Sequence, residues 1–195
     1  HKLILNPGFK EALDYVEKAK EAEYLSFDIE VETEQITCIG FSYGKMAEGN
    51  KPETICIPFW FGASGSFFSQ EQEGRLWSAI RGLLESEEPK KIAHTGMYDC
   101  EVLQRTLGIN ARLHFDIMLA FHTLYPELPK SLAYLVSVYT DHPYYKYMGK
   151  TADMDTYWRY NALDAGLTFT CAMHLLRELE EANLESFYVD YVHSL

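Results

Sequence analysis

Three β-rich segments follow one another between residues 24 and 58, namely Tyr24 to Ile29, Gln35 to Tyr43 and Thr54 to Pro58. An acidic turn separates the first two, and Gly44 to Lys51, which carries Gly49-Asn50, separates the last two. Short runs of β-branched and aromatic residues bounded by turn residues read as strands, and breaks this short favour an antiparallel meander. The rhythm then changes. Phe9 to Ala22, before the meander, and Gln70 to Leu84, after it, carry helical spacing. Lys91 to His94 is a short strand, Met97 to Leu107 a helix stopped by Gly108, and Leu113 to Phe115 a last strand. Asp116 to Leu124, Ser131 to Tyr139 and a long stretch from Asp155 to Ala182 are helical. Strands joined first by turns and then through helices predict an α/β domain with a mixed five-stranded sheet flanked by helices.

A chain of 195 residues, 47% of them hydrophobic, can bury one substantial core and is too short for two ordinary domains. It has no apolar run long enough to span a membrane and no charged-then-apolar leader, so the expectation is an intracellular protein without a membrane partner. Cys38, Cys56, Cys100 and Cys171 form no C-x-x-C pair, which argues against a zinc ribbon and fits reduced thiols. The net charge of −12 repels nucleic-acid phosphate unless cations or a local basic patch intervene. It does not count against an enzyme whose acids hold cations.

The most crowded acids stand in LSFDIEVETE, residues 25 to 34. Side chains alternate along a strand, so Asp28 and Glu30 share one face roughly 7 Å apart, close enough to share a divalent ion. Spacing alone is weak support, because 29 acids in the chain produce such pairs by chance. Asp99-Cys100-Glu101 is a second D-x-E, but in a helix its acids point to different sides. In RYNALDA, residues 159 to 165, Tyr160 and Asp164 stand four apart on a helix, so phenol and carboxylate share a face. In IAHTGMYD, residues 92 to 99, a short strand leads into a helix that carries Asp99 to the strand's C-terminal end.

Taken in order, FDIE, HTGMYD and YNALD resemble the three motifs of the DEDD superfamily of 3'-5' exonucleases. The chain is similar to the proofreading domain of family A, or polymerase I-like, DNA polymerases, and the similarity runs on through FDIMLAFHTLYPELPKSLAYL. Arg159 rather than His stands five residues before Asp164, which points to the tyrosine subtype. The closing FYVDYVHSL is similar to the segment that leads into the polymerase portion of that family. Together with the first residue, His1, it raises the expectation that the chain is excised from a longer DNA polymerase, with 183–195 starting the connection.

The resemblance implies a ribonuclease H-like fold and metal-dependent removal of nucleotides from DNA 3' ends. It assigns Asp28, Glu30, Asp99 and Asp164 to two divalent ions, Mg²⁺ with Mn²⁺ as a substitute, and Tyr160 to the attacking water. The implied partners are a single-stranded DNA 3' end and the polymerase portion of the parent chain. His94, Thr95, Lys146 and Lys150 are the candidate substrate contacts. The family usually has Asn where this chain has Thr95, and threonine lacks the amide's paired hydrogen-bonding groups. DHPYYKYMGK, residues 141 to 150, has the mix of aromatics and lysines that stacks bases and meets phosphate, and equally the composition of a packed loop. Glu32 reads as a solvated turn residue and Asp116 as a helix N-cap. His94, His114, His122 and His174 show no metal-ligand spacing. Two other functions stay open: a free-standing exonuclease acting on DNA or RNA, and a catalytically silent binding module.

Overall fold

The computed structural model describes residues 2–45, 52–60, 62, 65–150 and 153–193. Six strands occur among them: β1 (Lys2–Leu5), β2 (Tyr24–Glu32), β3 (Gln35–Gly44), β4 (Glu53–Pro58), β5 (Lys90–Ala93) and β6 (Leu113–Asp116). The helices are α1 (Phe9–Ala19), α2 (Gln70–Glu85), α3 (Gly96–Leu107), α4 (Ile117–Leu124), α5 (Leu132–Tyr139), α6 (Met154–Glu181) and the short α7 (Glu185–Phe187). A 3-10 turn, Lys146–Lys150, precedes α6, and a π-helical turn, Tyr188–Val192, follows α7.

The sheet runs β1-β4-β3-β2-β5-β6. β2, β3 and β4 form the antiparallel meander, whereas β1 joins β4, and β5 and β6 join on from β2, in parallel. The expected five strands are therefore six. β1 was missed because KLIL is four residues on a sheet edge, too short to display an alternating pattern. The first helix also stops at Ala19, three residues short of the expected end, and the turn expected over Gly44 to Lys51 lies mostly outside the described residues.

β2 continues to Glu32, beyond its expected end, before a hairpin in which Thr33 and Glu34 both take left-handed backbone, φ +46° and +66°. Two left-handed central residues are what a tight two-residue hairpin demands. Between Glu30 and Val31 the register slips, because β3 carries one extra residue, Thr37. Such a bulge re-aims the strand end. Its polar groups are satisfied: Thr37 Oγ1 donates to the Glu30 carbonyl at 3.0 Å, and the Thr37 carbonyl accepts from the backbone N–H groups of Phe59 and Trp60.

Helices cover both faces of the sheet. Leu25, Phe27 and Ile29 of β2 pack with Val16 of α1 and with Leu76 and Ile80 of α2. Burying a side chain of this size stabilises by roughly 1.5–3 kcal/mol. The alternate residues of β2 face α6, where Ser26 Oγ donates to the Ala165 carbonyl at 2.7 Å. α6 lies against the sheet on one side and packs with α4 and α5 through Leu163, Leu167 and Leu175. It meets β3 at Gly40, where a Cβ would fall 2.9 Å from the Asn161 carbonyl oxygen. Only a residue without a side chain permits so close an approach. No helix is long and apolar enough to cross a membrane among the described residues, and all four cysteines are free thiols.

Candidate active site

β2 pairs with β5 only over Tyr24 to Ser26, so from Asp28 onward that edge of β2 needs another partner. Asp99, in the first turn of α3, supplies it: the Ile29 N–H donates to Asp99 Oδ1 at 2.9 Å. A carboxylate thus takes the place of a strand, which satisfies the backbone donor and ties Asp99 to the segment bearing Asp28 and Glu30. Across the gap α6 contributes Asp164, whose side chain is 6% exposed. Asp28, Glu30 and Asp164 each offer an oxygen, and these oxygens lie within 4.8 Å of one another.

So many carboxylates in one place oppose ionisation. Burial raises the Asp28 carboxyl well above the usual range, and the charges of Asp164, Glu30 and Asp99 add to this while Lys146 opposes it. Glu30 is pushed up to about 8, by burial first and then by Asp164. Asp99 is pushed up to about 7 by burial, against the lowering effect of the Ile29 N–H. Hard divalent cations take carboxylate oxygens, so these residues fit such ions, which would relieve the repulsion that keeps protons on the acids.

Other groups hold the acids in place. Asn161, one helical turn before Asp164, donates from Nδ2 to Asp28 Oδ2 at 2.8 Å and to the Asp28 carbonyl at 3.1 Å. Its own Oδ1 is buried with no partner. Asn161 was not among the residues expected from the sequence, although its i, i+3 spacing to Asp164 puts both on one face. Tyr145, also missed, donates from Oη to Asp164 Oδ1 at 2.5 Å. Tyr160 lies against the 3-10 turn, where a Cβ on Gly149 would come within 2.9 Å of its ring. Burial, with Asp164 and Glu30, raises its phenol far above the ordinary value, so it stays protonated.

The candidate substrate contacts divide. Lys146 reaches the acids, with Nζ 2.7 Å from Asp164 Oδ2 and 2.8 Å from Oδ1. Lys150 is exposed at the end of the same turn, and among the described residues no hydrogen bond or ion pair joins it to the cluster. His94 is engaged within the fold, its Nε2 2.8 Å from the Lys130 carbonyl. Thr95 is exposed and left-handed, φ +59° and ψ +38°, and makes no side-chain cap to α3. Asn tolerates that backbone far better than a β-branched residue does.

Asp116 caps α4, accepting from the Met118 and Leu119 N–H groups, and its carboxylate also accepts from the Thr95 and Gly96 N–H groups at 3.2 and 2.8 Å. One buried side chain thereby fastens two helix starts and fixes the turn that carries Asp99. Its backbone N–H donates to Tyr188 Oη at 2.8 Å, so the segment after α6 is packed into the core at Tyr188. Glu32, Glu101 and Arg159 are exposed, as are His122 and His174, while His114 accepts from the Lys91 N–H.

A sequence profile for a family described as 3'-5' exonuclease matches residues 9–180. A comparison with curated protein sequences gave no match. Among solved structures, Escherichia coli RNase D, an exoribonuclease involved in structured RNA processing, aligns with a TM-score of 0.68 at 17% identity, over 97% of this chain and 48% of that one. The Aedes aegypti Nibbler EXO domain gives 0.68 at 13% identity, over 92% and 89%. Pol1 from M. smegmatis, in complex with DNA primer-template and dNTP, gives 0.66 at 18% identity, over 97% and 29%. At such identities the likeness is one of fold. The chain spans about half the length of the RNase D chain and under a third of the Pol1 chain. The family profile covers well over half of the sequence, from before β2 through nearly all of α6, and the chain belongs to the 3'-5' exonuclease family, in its DEDD form.

Proposed function

We propose that this domain removes nucleotides from single-stranded DNA 3' ends by two-metal hydrolysis, as the proofreading part of a polymerase I-like DNA polymerase. The observation that carries this is the convergence of Asp28, Glu30 and Asp164 oxygens within 4.8 Å, with Asp99 fastened to the same strand. In this reading Asp28, Glu30 and Asp164 would hold one ion, and Asp28 and Asp99 would hold the other. Mg²⁺, or Mn²⁺ in its place, would supply positive charge at the phosphate and the leaving 3' oxygen and make water more acidic.

The chain's own groups set the geometry. Asn161 holds the Asp28 carboxylate at one angle, and Asp99 is held by the strand whose N–H it accepts. Tyr160, protonated at neutral pH, can orient the attacking water through its hydroxyl but cannot take a proton from it. In this reading Thr95, exposed at the start of α3, and Lys146, beside Asp164, would contact the nucleic acid. The net charge of −12 leaves much of the DNA affinity to the polymerase portion of the parent protein, as expected for an intracellular replication enzyme.

The fold neighbours include an exoribonuclease and a DNA polymerase, so the choice of DNA rests on the resemblance to polymerase I-like proofreading domains and not on the fold. The test is a time course on 5'-labelled single-stranded DNA and RNA with Mg²⁺, Mn²⁺ or a chelator. A metal-dependent ladder on DNA, absent in Asp28→Asn, is expected. Shortening of RNA alone would reassign the substrate, and shortening of neither would leave a binding module.

A further inference from the structure

The acid cluster already contains a cation of its own. Lys146 Nζ lies 2.7 and 2.8 Å from the two Asp164 oxygens and 3.2 Å from Tyr160 Oη. The lysine side chain is 23% exposed and that of Asp164 only 6%, so solvent screens the pair little. The ammonium also stands 4.9 Å from the centroid of the Tyr160 ring and 5.3 Å from that of Tyr145. Its approach is built in: Tyr145 anchors the turn on Asp164 from one side, and Gly149 lets the turn close onto the Tyr160 ring.

This arrangement conflicts with a fully loaded metal site. Both Asp164 oxygens are engaged, so an ion that takes either must loosen the ammonium, and like charges so close repel strongly where water is scarce. Two divalent ions would balance Asp28, Glu30, Asp99 and Asp164 unaided, leaving Lys146 as surplus positive charge.

We propose that Lys146 is a resident counter-cation that divalent metal must displace from Asp164, so that this lysine sets the metal affinity of the site and keeps its acids together until ions arrive. It is a positioning residue, acting through Asp164 and Tyr160. The proposal rests on the two-metal reading above. Displacement leaves the ammonium beside the Tyr160 hydroxyl, which it already reaches at 3.2 Å.

The test measures Mn²⁺ binding without nucleic acid, by the loss of the free-ion electron paramagnetic resonance signal, for wild type, Lys146→Met and Asp28→Asn. Lys146→Met should bind Mn²⁺ about tenfold tighter, because a shielded ion pair no longer has to break. It should also melt at a lower temperature without metal and gain more from saturating Mn²⁺ than wild type does. A folded Lys146→Met with unchanged or weaker Mn²⁺ binding overturns the proposal. Equally poor binding by wild type and Asp28→Asn overturns the two-metal reading instead. Should Lys146→Met not fold, wild type suffices: with an amine-reactive footprint read by mass spectrometry, Mn²⁺ should raise Lys146 modification severalfold, and unchanged protection sinks the idea.

Discussion

Replacing Thr95 by Asn tests how the backbone is bent into the candidate site. Thr95 holds φ +59° and ψ +38° immediately before α3, a region costly for any residue with a Cβ and most costly for a β-branched one. The left-handed conformation costs roughly 1–2 kcal/mol for an ordinary L-residue, and Asn avoids much of this through local hydrogen bonding of its short side chain. Little is lost in exchange. Thr95 is exposed, and its hydroxyl makes only long contacts, 3.3 Å to His94 Nδ1 and 3.6 Å to Met118 Sδ. Weak bonds of this kind contribute a few tenths of a kcal/mol at most. The net gain should be about 0.5–1 kcal/mol, or a melting temperature higher by about 1–2.5 °C in a domain of this size. Urea unfolding followed by circular dichroism should show a raised midpoint at unchanged slope. A Thr95→Asn protein that unfolds at or below the wild-type midpoint would show that strain at this turn is not what distinguishes the two residues.

Two further outcomes are expected. Asn161→Ala frees the Asp28 carboxylate to rotate and should reduce hydrolysis of single-stranded DNA by roughly 10–100-fold, the usual cost of losing a group that orients a metal ligand. Near-wild-type rates with normal Mn²⁺ binding would remove Asn161 from the positioning role. The stability of the metal-free protein should fall as pH rises from about 4 to 8. Glu30 moves from 4.5 to about 8 and Asp99 from 3.8 to about 7 on folding, so across that window the folded chain binds more protons than the unfolded one. Melting temperatures recorded across this range should decline without divalent metal and decline less with saturating Mg²⁺. A metal-free curve that rises through the window would mean that the acids are better solvated than their burial implies.

What could be read from residues alone follows the range of the interactions involved. Alternation along a strand places Asp28 and Glu30 on one face, and helical spacing does the same for Tyr160 and Asp164, because both are properties of a single element. The meander and the later crossovers were legible for the same reason. β1 was not, since four edge residues carry no period, and neither was the slip at Thr37, which exists only as a mismatch between two paired strands. Asn161, Tyr145 and the ion pair of Lys146 with Asp164 depend on α6, the 3-10 turn and β2 arriving at one point. Asp116 was legible as the cap of the helix it precedes. Its hold on the start of α3, a segment 20 residues away in sequence, was not.

Gly40 takes no part in the chemistry, yet the width of the acid cluster depends on it. The gap between the acids of β2 and the acid of α6 is set by how near that helix can come to the neighbouring strand, and at this point it comes as near as backbone allows. The missing side chain therefore works as a spacer of zero thickness. A chain of this fold can keep every carboxylate and still lose its ion, because one added carbon on a strand that bears none of them would prop the helix away.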